Sequence, residues 1–210
     1  MSGAGFEDYQ KWIRNDVGKS SLYSYFKELL QVLSFNYPPE SHWVLKSPIH
    51  LIGNNFKYLY ETFPDAMFVM THRNVATAIG STCSLVKGLC GPFEETHDPI
   101  AIGKNTLDLM SEGVKNGIEF RESLPVASRN QFLDIQYEEF IKNPIQTVKS
   151  IYEHYGIKYT DEFEQRMKVY LENNPQGKHG RHKYSLEEYG LSVDKVNSAF
   201  EHYNTHYVKC

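Results

Sequence analysis

Cysteine is scarce here, three among 210 residues, and an odd number cannot all pair within one chain. Cys83 and Cys90 lie seven apart on a stretch that reads as helix, which puts their Cα atoms roughly 10 Å apart at ~1.5 Å of rise per residue. That is too far for a disulfide, and Cys210 is the last residue. No CxxC pair or His/Cys spacing suggests zinc, so the pattern fits free thiols in a reducing compartment and a cytoplasmic protein. Positive charge is not in excess either. Twenty-two Lys and Arg face 26 Asp and Glu, a formal net charge of −4, which offers no footing for nucleic acid. No run approaches ~18 uninterrupted apolar residues, so no membrane span is expected. The opening MSGAGFEDYQKW lacks the apolar stretch of a secretory signal. Internal repeats and low-complexity tracts are also missing.

What is present suits a packed core. Apolar residues make up 40% of the chain and aromatic ones 14%, which argues against disorder. The length fits a single domain over 1–210, with a helical lead-in at 1–41, a βαβ core at 42–156, and C-terminal helices with a basic loop at 157–210. Helices are expected over 6–14 and 21–34, the second with Tyr23, Phe26, Leu29, Leu30 and Leu33 near helical spacing. The prolines of NYPPES (36–41) break that pattern.

HWVLK (42–46) reads as a short strand, and Ser47-Pro48 as the start of a helix carrying Leu51, Phe56, Leu59, Tyr60 and Phe63. FPDA (63–66) is a turn and AMFVMTH (66–72) the clearest strand. Helices follow over 74–88 and 98–122, then a strand at QFLDIQY (131–137). Pro144 sits early in a helix running to about Tyr155 and stopped by Gly156. Further helices cover 160–173 and 193–207, with a polar loop at 174–185 between them.

Strands alternating with helices imply an α/β fold, a parallel sheet between helices. Such sheets bind ligands at the C-terminal ends of their strands, where following helices present their N-termini. Lys46, Ser47, Arg73 and Asn74 would all stand there, so both strand ends are expected to converge on one anionic ligand.

Four stretches carry residues suited to such a ligand, and each has a plainer reading. In HRNVATAIGSTCS, Arg73 ends a strand and Ser81 follows eight residues on, a little over two helical turns. An arginine fork and a serine hydroxyl suit phosphate; the plainer reading is a surface arginine and a packing serine. In LKSPIH, Lys46 could neutralise a transferring anionic group and His50 could act as general base. A solvent-facing lysine and a core-edge histidine are the alternative. Tyr137 of DIQYEEF follows a strand and could stack on a base, or simply form a boundary aromatic. GKHGRHKYS gathers Lys178, His179, Arg181, His182 and Lys183 around Gly177 and Gly180, either as a phosphate-binding loop or as a solvated basic one. Gly18-Lys19-Ser20-Ser21 looks like the end of a Walker A loop. Its upstream glycine partner is absent and Asp16 would repel phosphate, so it reads as a turn between helices.

Taken in order, these pieces resemble the sulfotransferase superfamily, in its broad sulfotransferase-family-protein group. The resemblance is carried by Trp43–Leu51 (WVLKSPIHL), Phe63–Ala66, Thr71–Arg73 and Ser81–Leu85. It continues through Tyr137–Phe140, Asn143-Pro144, IYEHYGI and NPQGKHGRHKYSLEEYGL, covering most of 7–205. The resemblance implies a fold like that of P-loop kinases. It also implies sulfonate transfer from 3′-phosphoadenosine 5′-phosphosulfate (PAPS) to an acceptor hydroxyl or amine, leaving adenosine 3′,5′-bisphosphate, with no metal.

By the same resemblance Arg73 and Ser81 hold the donor's 3′-phosphate and Tyr137 lies near its adenine. The loop with Lys178, Gly180 and Arg181 closes over that phosphate. Lys46 and His50 match the region of a catalytic lysine and histidine. Their spacing departs from the pattern, four residues here against two in cytosolic relatives, which leaves the identity of the base open.

The family's first strand and its glycine-rich loop, similar to G-x-P-R-S-G-T, which cradles the 5′-phosphosulfate, have no counterpart here. The chain is therefore expected to be the C-terminal part of the family pattern, with an incomplete sheet. The rival expectation is a non-catalytic nucleotide-binding or interaction module. A nucleotide donor and a small-molecule or glycan acceptor are the expected partners. A homodimer is allowed, though no motif points to one.

Overall fold

A computed structural model describes residues 12, 18–90, 98–175, 178 and 184–207. The expected helix at 6–14 and most of the basic loop lie outside these residues. The chain divides into two compact units, one of residues 1–66 with 107–124, the other of 67–106 with 125–210. Helix α4 (Pro99–Ser123) contributes its first part to the second unit and the rest to the first.

In the first unit, α1 (Ser20–Asn36) turns Tyr23, Phe26 and Leu30 inward at helical spacing. Tyr23 is buried, and Phe26 meets Phe63 edge-on at 5.8 Å between ring centroids. Ser47 caps a 3-10 turn, Pro48–Leu51, by accepting from the Ile49 N–H. The helix expected to run on from Ser47 is interrupted at Gly53, whose φ of 55° L side chains rarely adopt, and resumes as α2 (Asn55–Thr62). Phe56 and Tyr60 of α2 pack edge-on against Phe120 of α4. Gly113 lets the same helix lie directly on the Leu51 carbonyl.

The strand expected at 42–46 does not form. Trp43, Val44 and Leu45 are exposed at 40%, 81% and 50%, and the segment has no regular structure. Three consecutive apolar residues satisfy a strand by composition, but a strand exists only where a neighbour completes its hydrogen-bond ladder. Among the described residues none does. The Trp43 indole instead donates to Ser34 on α1 at 3.1 Å. Lys46 therefore does not stand at a strand end.

The second unit is built on a small parallel sheet of two strands, β1 (Phe68–His72) and β2 (Phe132–Gln136), within a helix-rich α/β fold. Their register pairs Phe68 with Phe132, whose rings stack at 5.1 Å, and His72 with Gln136. After β1 comes α3 (Val75–Cys90), and after β2 come α5 (Tyr137–Lys142) and α6 (Pro144–His154). Pro144 opens α6 at its first turn, as its missing N–H permits, and Gly156 leaves it at a φ of 64°. Tyr155 at its end places its hydroxyl 2.9 Å from the Phe68 carbonyl and 3.0 Å from that of Gln131, joining the two strand entrances. Helix α7 (Asp161–Asn173) is capped by Thr160, which accepts from the Phe163 N–H.

The core of this unit gathers Ile79 and Cys83 of α3 with Phe132, Ile135, Leu186, Tyr189, Leu191, Val196 and Phe200. Both described cysteines, Cys83 and Cys90, carry free thiols. The helix expected over 193–207 is two, α8 (Val193–Ala199) and α9 (Glu201–Tyr207). Phe200 leaves helical geometry between them, at a ψ of 21°, with its ring buried in the core. No helix among the described residues is long and apolar enough to cross a membrane.

Candidate functional site

The parallel register dictates the centre of the second unit's candidate site. His72 and Gln136 are paired at the ends of β1 and β2, so the residues after them, Arg73 and Tyr137, emerge side by side. The Arg73 guanidinium lies over the Tyr137 ring, 4.5 Å from its centroid. That cation–π contact holds the fork without consuming its N–H donors. Asn74 caps α3, its side-chain oxygen accepting from the Thr77 backbone at 3.0 Å and the Thr77 hydroxyl at 3.1 Å. Arg73 thus precedes the N-terminus of a 16-residue helix, where the backbone favours an anion.

Ser81 lies two turns into α3, partly buried, beside Gly80. The Tyr184 ring sits so close to Gly80 that an added Cβ would be 2.8 Å from it, and the Tyr184 hydroxyl donates to the Thr77 carbonyl at 3.2 Å. Tyr184 thus rests on Gly80, the residue before Ser81. Gly180 and Arg181 lie outside the described residues. Lys178 is directed elsewhere: its ammonium donates to the Asn173 carbonyl at 2.9 Å and to Asn174 at 3.3 Å, at the C-terminus of α7. There the helix dipole favours a cation.

Sequence reasoning missed His72. It is 1% exposed, with Nε2 2.7 Å from Asp134 Oδ1 on β2 and Nδ1 3.0 Å from the Tyr203 hydroxyl on α9. The Tyr207 ring stacks on it at 5.0 Å. The repeat of Tyr203 and Tyr207 four apart on one helix face was the available signal, since two aromatics so placed call for a buried partner.

In the first unit, His50 belongs to the 3-10 turn and is half-buried under α1. Its Nδ1 lies 2.9 Å from the Tyr23 hydroxyl, and its ring faces Tyr23 and Phe26. Burial lowers the His50 pKa from 6.5, keeping the imidazole neutral, and pushes the Tyr23 hydroxyl up to about 12. For Nε2 to accept a proton, the ring must carry its hydrogen on Nδ1 and donate it to the Tyr23 oxygen. Lys46 is exposed four residues before it.

The sign of the His50 shift sets an expectation. A lowered pKa means the folded chain takes up this proton only at pH values below 6.5, later than the unfolded chain does. Stability therefore declines as pH falls below that value. A proton NMR titration of the His50 ring should give a midpoint below 6.5, and one above it would contradict the burial described here.

In chemical terms the second unit offers a guanidinium, a hydroxyl and an aromatic face, a donor set fitted to a phosphate beside a planar base. The first offers a neutral imidazole suited to proton abstraction. A family model described as the sulfotransferase family matches residues 4–161. A crystal structure of sulfotransferase STF9 from Mycobacterium avium superposes with a TM-score of 0.84 at 30% identity, over 95% of this chain and 50% of that one. Sulfotransferase STF1 from Mycobacterium tuberculosis gives 0.65 at 33% identity, over 80% of this chain and 41% of that one. Curated omega-hydroxy-beta-dihydromenaquinone-9 sulfotransferases Stf3 of Mycobacterium bovis and M. tuberculosis are 24% identical over 165 residues. That match takes in 76% of this chain, which spans 38% of their length.

Proposed function

The chain belongs to the sulfotransferase family, and from that premise we propose that it binds the nucleotide of PAPS and takes part in moving its sulfonate to an acceptor hydroxyl or amine. The observation that carries this reading is the Arg73 guanidinium held over Tyr137 at the ends of two parallel strands, ahead of the α3 N-terminus. Arg73 and Ser81 are assigned to the 3′-phosphate, and Tyr137 to the adenine side. Of the basic loop, Gly180 and Arg181 are assigned to closure over the same phosphate, and Lys178, bonded at the end of α7, takes no part.

The reaction asks little covalent chemistry of the protein. The acceptor oxygen loses its proton to a base and attacks sulfur in line, and the bond from sulfur to the 5′-phosphate oxygen breaks. Adenosine 3′,5′-bisphosphate leaves with that electron pair. His50, kept neutral by burial, is assigned the proton, and Lys46 the charge that grows on the bridging oxygen. Positioning and electrostatics supply the rest. The acceptor is proposed as a small molecule or glycan.

Calorimetric titration of the chain with adenosine 3′,5′-bisphosphate tests the nucleotide half of the proposal. Saturable binding of one equivalent is expected. A folded chain that binds none of it overturns the reading.

A further inference from the structure

Helix α9 ties down both strand ends from which the Arg73–Tyr137 pair emerges. On one side the Tyr203 hydroxyl meets His72 Nδ1 at 3.0 Å; on the other, the Gln136 amide donates to the Tyr207 carbonyl at 2.8 Å. His72 and Gln136 are partners in the sheet register, so α9 closes across the last rung of the ladder. The next residue on each strand is a member of the cation–π pair.

The proton positions follow from the partners. Asp134 can only accept, so His72 Nε2 carries the hydrogen and donates across 2.7 Å. With that hydrogen on Nε2, Nδ1 accepts from the Tyr203 O–H. His72 is the residue directly before Arg73, so a hold on its ring fixes the main chain from which Arg73 departs. The chain of contacts runs from Asp134 through the His72 ring to Tyr203, immediately ahead of Arg73 in the sequence.

We infer that Tyr203 is a positioning residue for the 3′-phosphate site: it fixes His72, the residue before Arg73, so that the guanidinium, resting on Tyr137, meets the phosphate in one geometry. The inference rests on the nucleotide reading above and extends it to Tyr203, 131 residues from His72 in sequence. A carboxylate, an imidazole and a hydroxyl in this order would also describe an activated nucleophile. Here burial keeps the phenol neutral and pushes its pKa up to about 12. Tyr203 holds; it does not react. A guanidinium recognises phosphate through a fixed fork, so a small displacement of its backbone costs more than the loss of a generic positive charge would suggest.

The test compares two ligands on the full chain, adenosine 3′,5′-bisphosphate and adenosine 5′-monophosphate, by calorimetry. Tyr203→Phe keeps the ring and its contacts but removes the hydroxyl. It should weaken bisphosphate binding about tenfold, a change of about 1.4 kcal/mol, and leave monophosphate affinity unchanged. Gln136→Ala removes the other tie without touching the buried aromatic cluster. It should erode the same preference, and it carries the test if Tyr203→Phe does not fold. A folded Tyr203→Phe that keeps the wild-type preference overturns the inference, as does an equal loss for both ligands. If the wild type itself binds neither ligand, the nucleotide reading fails. If Arg73→Ala loses the preference and neither Tyr203→Phe nor Gln136→Ala does, only the role of α9 fails.

Discussion

Gly103→Ala lowers the melting temperature by several degrees. Gly103 faces the backbone of Tyr189 inside the second unit, and a Cβ there would overlap the Tyr189 carbonyl oxygen and crowd its Cβ at 2.8 Å. A carbonyl in a 3-10 turn cannot swing aside as a long side chain can, because Glu187–Tyr189 is held by Leu186 before it and by Gly190, at a φ of 64°, after it. Overpacking of this kind costs about 3 kcal/mol, and the better helix propensity of alanine returns about 1 kcal/mol. The net loss of about 2 kcal/mol corresponds to a fall of about 4–8 °C for a chain of this size.

Gly88→Ala is the matched control. It lies in α3 of the same unit with nothing within 4 Å of an added Cβ, so only the propensity gain applies and the melting temperature should rise slightly. Thermal unfolding followed by circular dichroism separates the two. Equal melting temperatures for Gly103→Ala and the wild type would show that α4 does not pack on the 187–189 turn as described.

How far the sequence could be read depends on the range of the signal. The strands at 68–72 and 132–136 and the helices opened by Pro144 and Thr160 follow from apolar runs and end signals a few residues long. The Arg73–Tyr137 pairing was within reach for a related reason. Once two segments are read as parallel strands, the residues after their ends are neighbours, whatever lies between them.

The failures share one cause, which is dependence on partners distant in sequence. Trp43-Val44-Leu45 has a strand's composition, but pairing is a property of two segments and nothing local reports it. The break at Phe200 carries no glycine or proline, and Phe200 leaves helical geometry where its ring enters the core. His72 read as one polar residue in a Thr-His-Arg run, because its partners lie 62 and 131 positions away. His50 was legible as a histidine after a proline. Its neutral state was not, since that depends on burial under Tyr23 and Phe26 of a helix much earlier in the chain.

Arg73→Ala should have the largest effect on binding. The side chain is the guanidinium assigned to the 3′-phosphate, it lies on Tyr137 at 4.5 Å, and the residue before it, His72, is held by Tyr203 and Asp134. Alanine removes a charge-assisted fork from a partly enclosed site, and such contacts count for more than neutral hydrogen bonds. Ser81→Ala, which removes one neutral donor, should cost less, of the order of 1 kcal/mol. Stability should change little, because Arg73 contributes its charge to the site and its main chain to the fold, and only the first is lost.

The most direct measurement is the affinity ratio between adenosine 3′,5′-bisphosphate and adenosine 5′-monophosphate, determined by calorimetry for the wild type and for Arg73→Ala. The wild type should favour the bisphosphate by at least about tenfold, or about 1.4 kcal/mol, and Arg73→Ala should bring the ratio close to one while the variant stays folded. A wild type with no preference, or a variant that keeps it, would contradict the assignment of Arg73 to the 3′-phosphate.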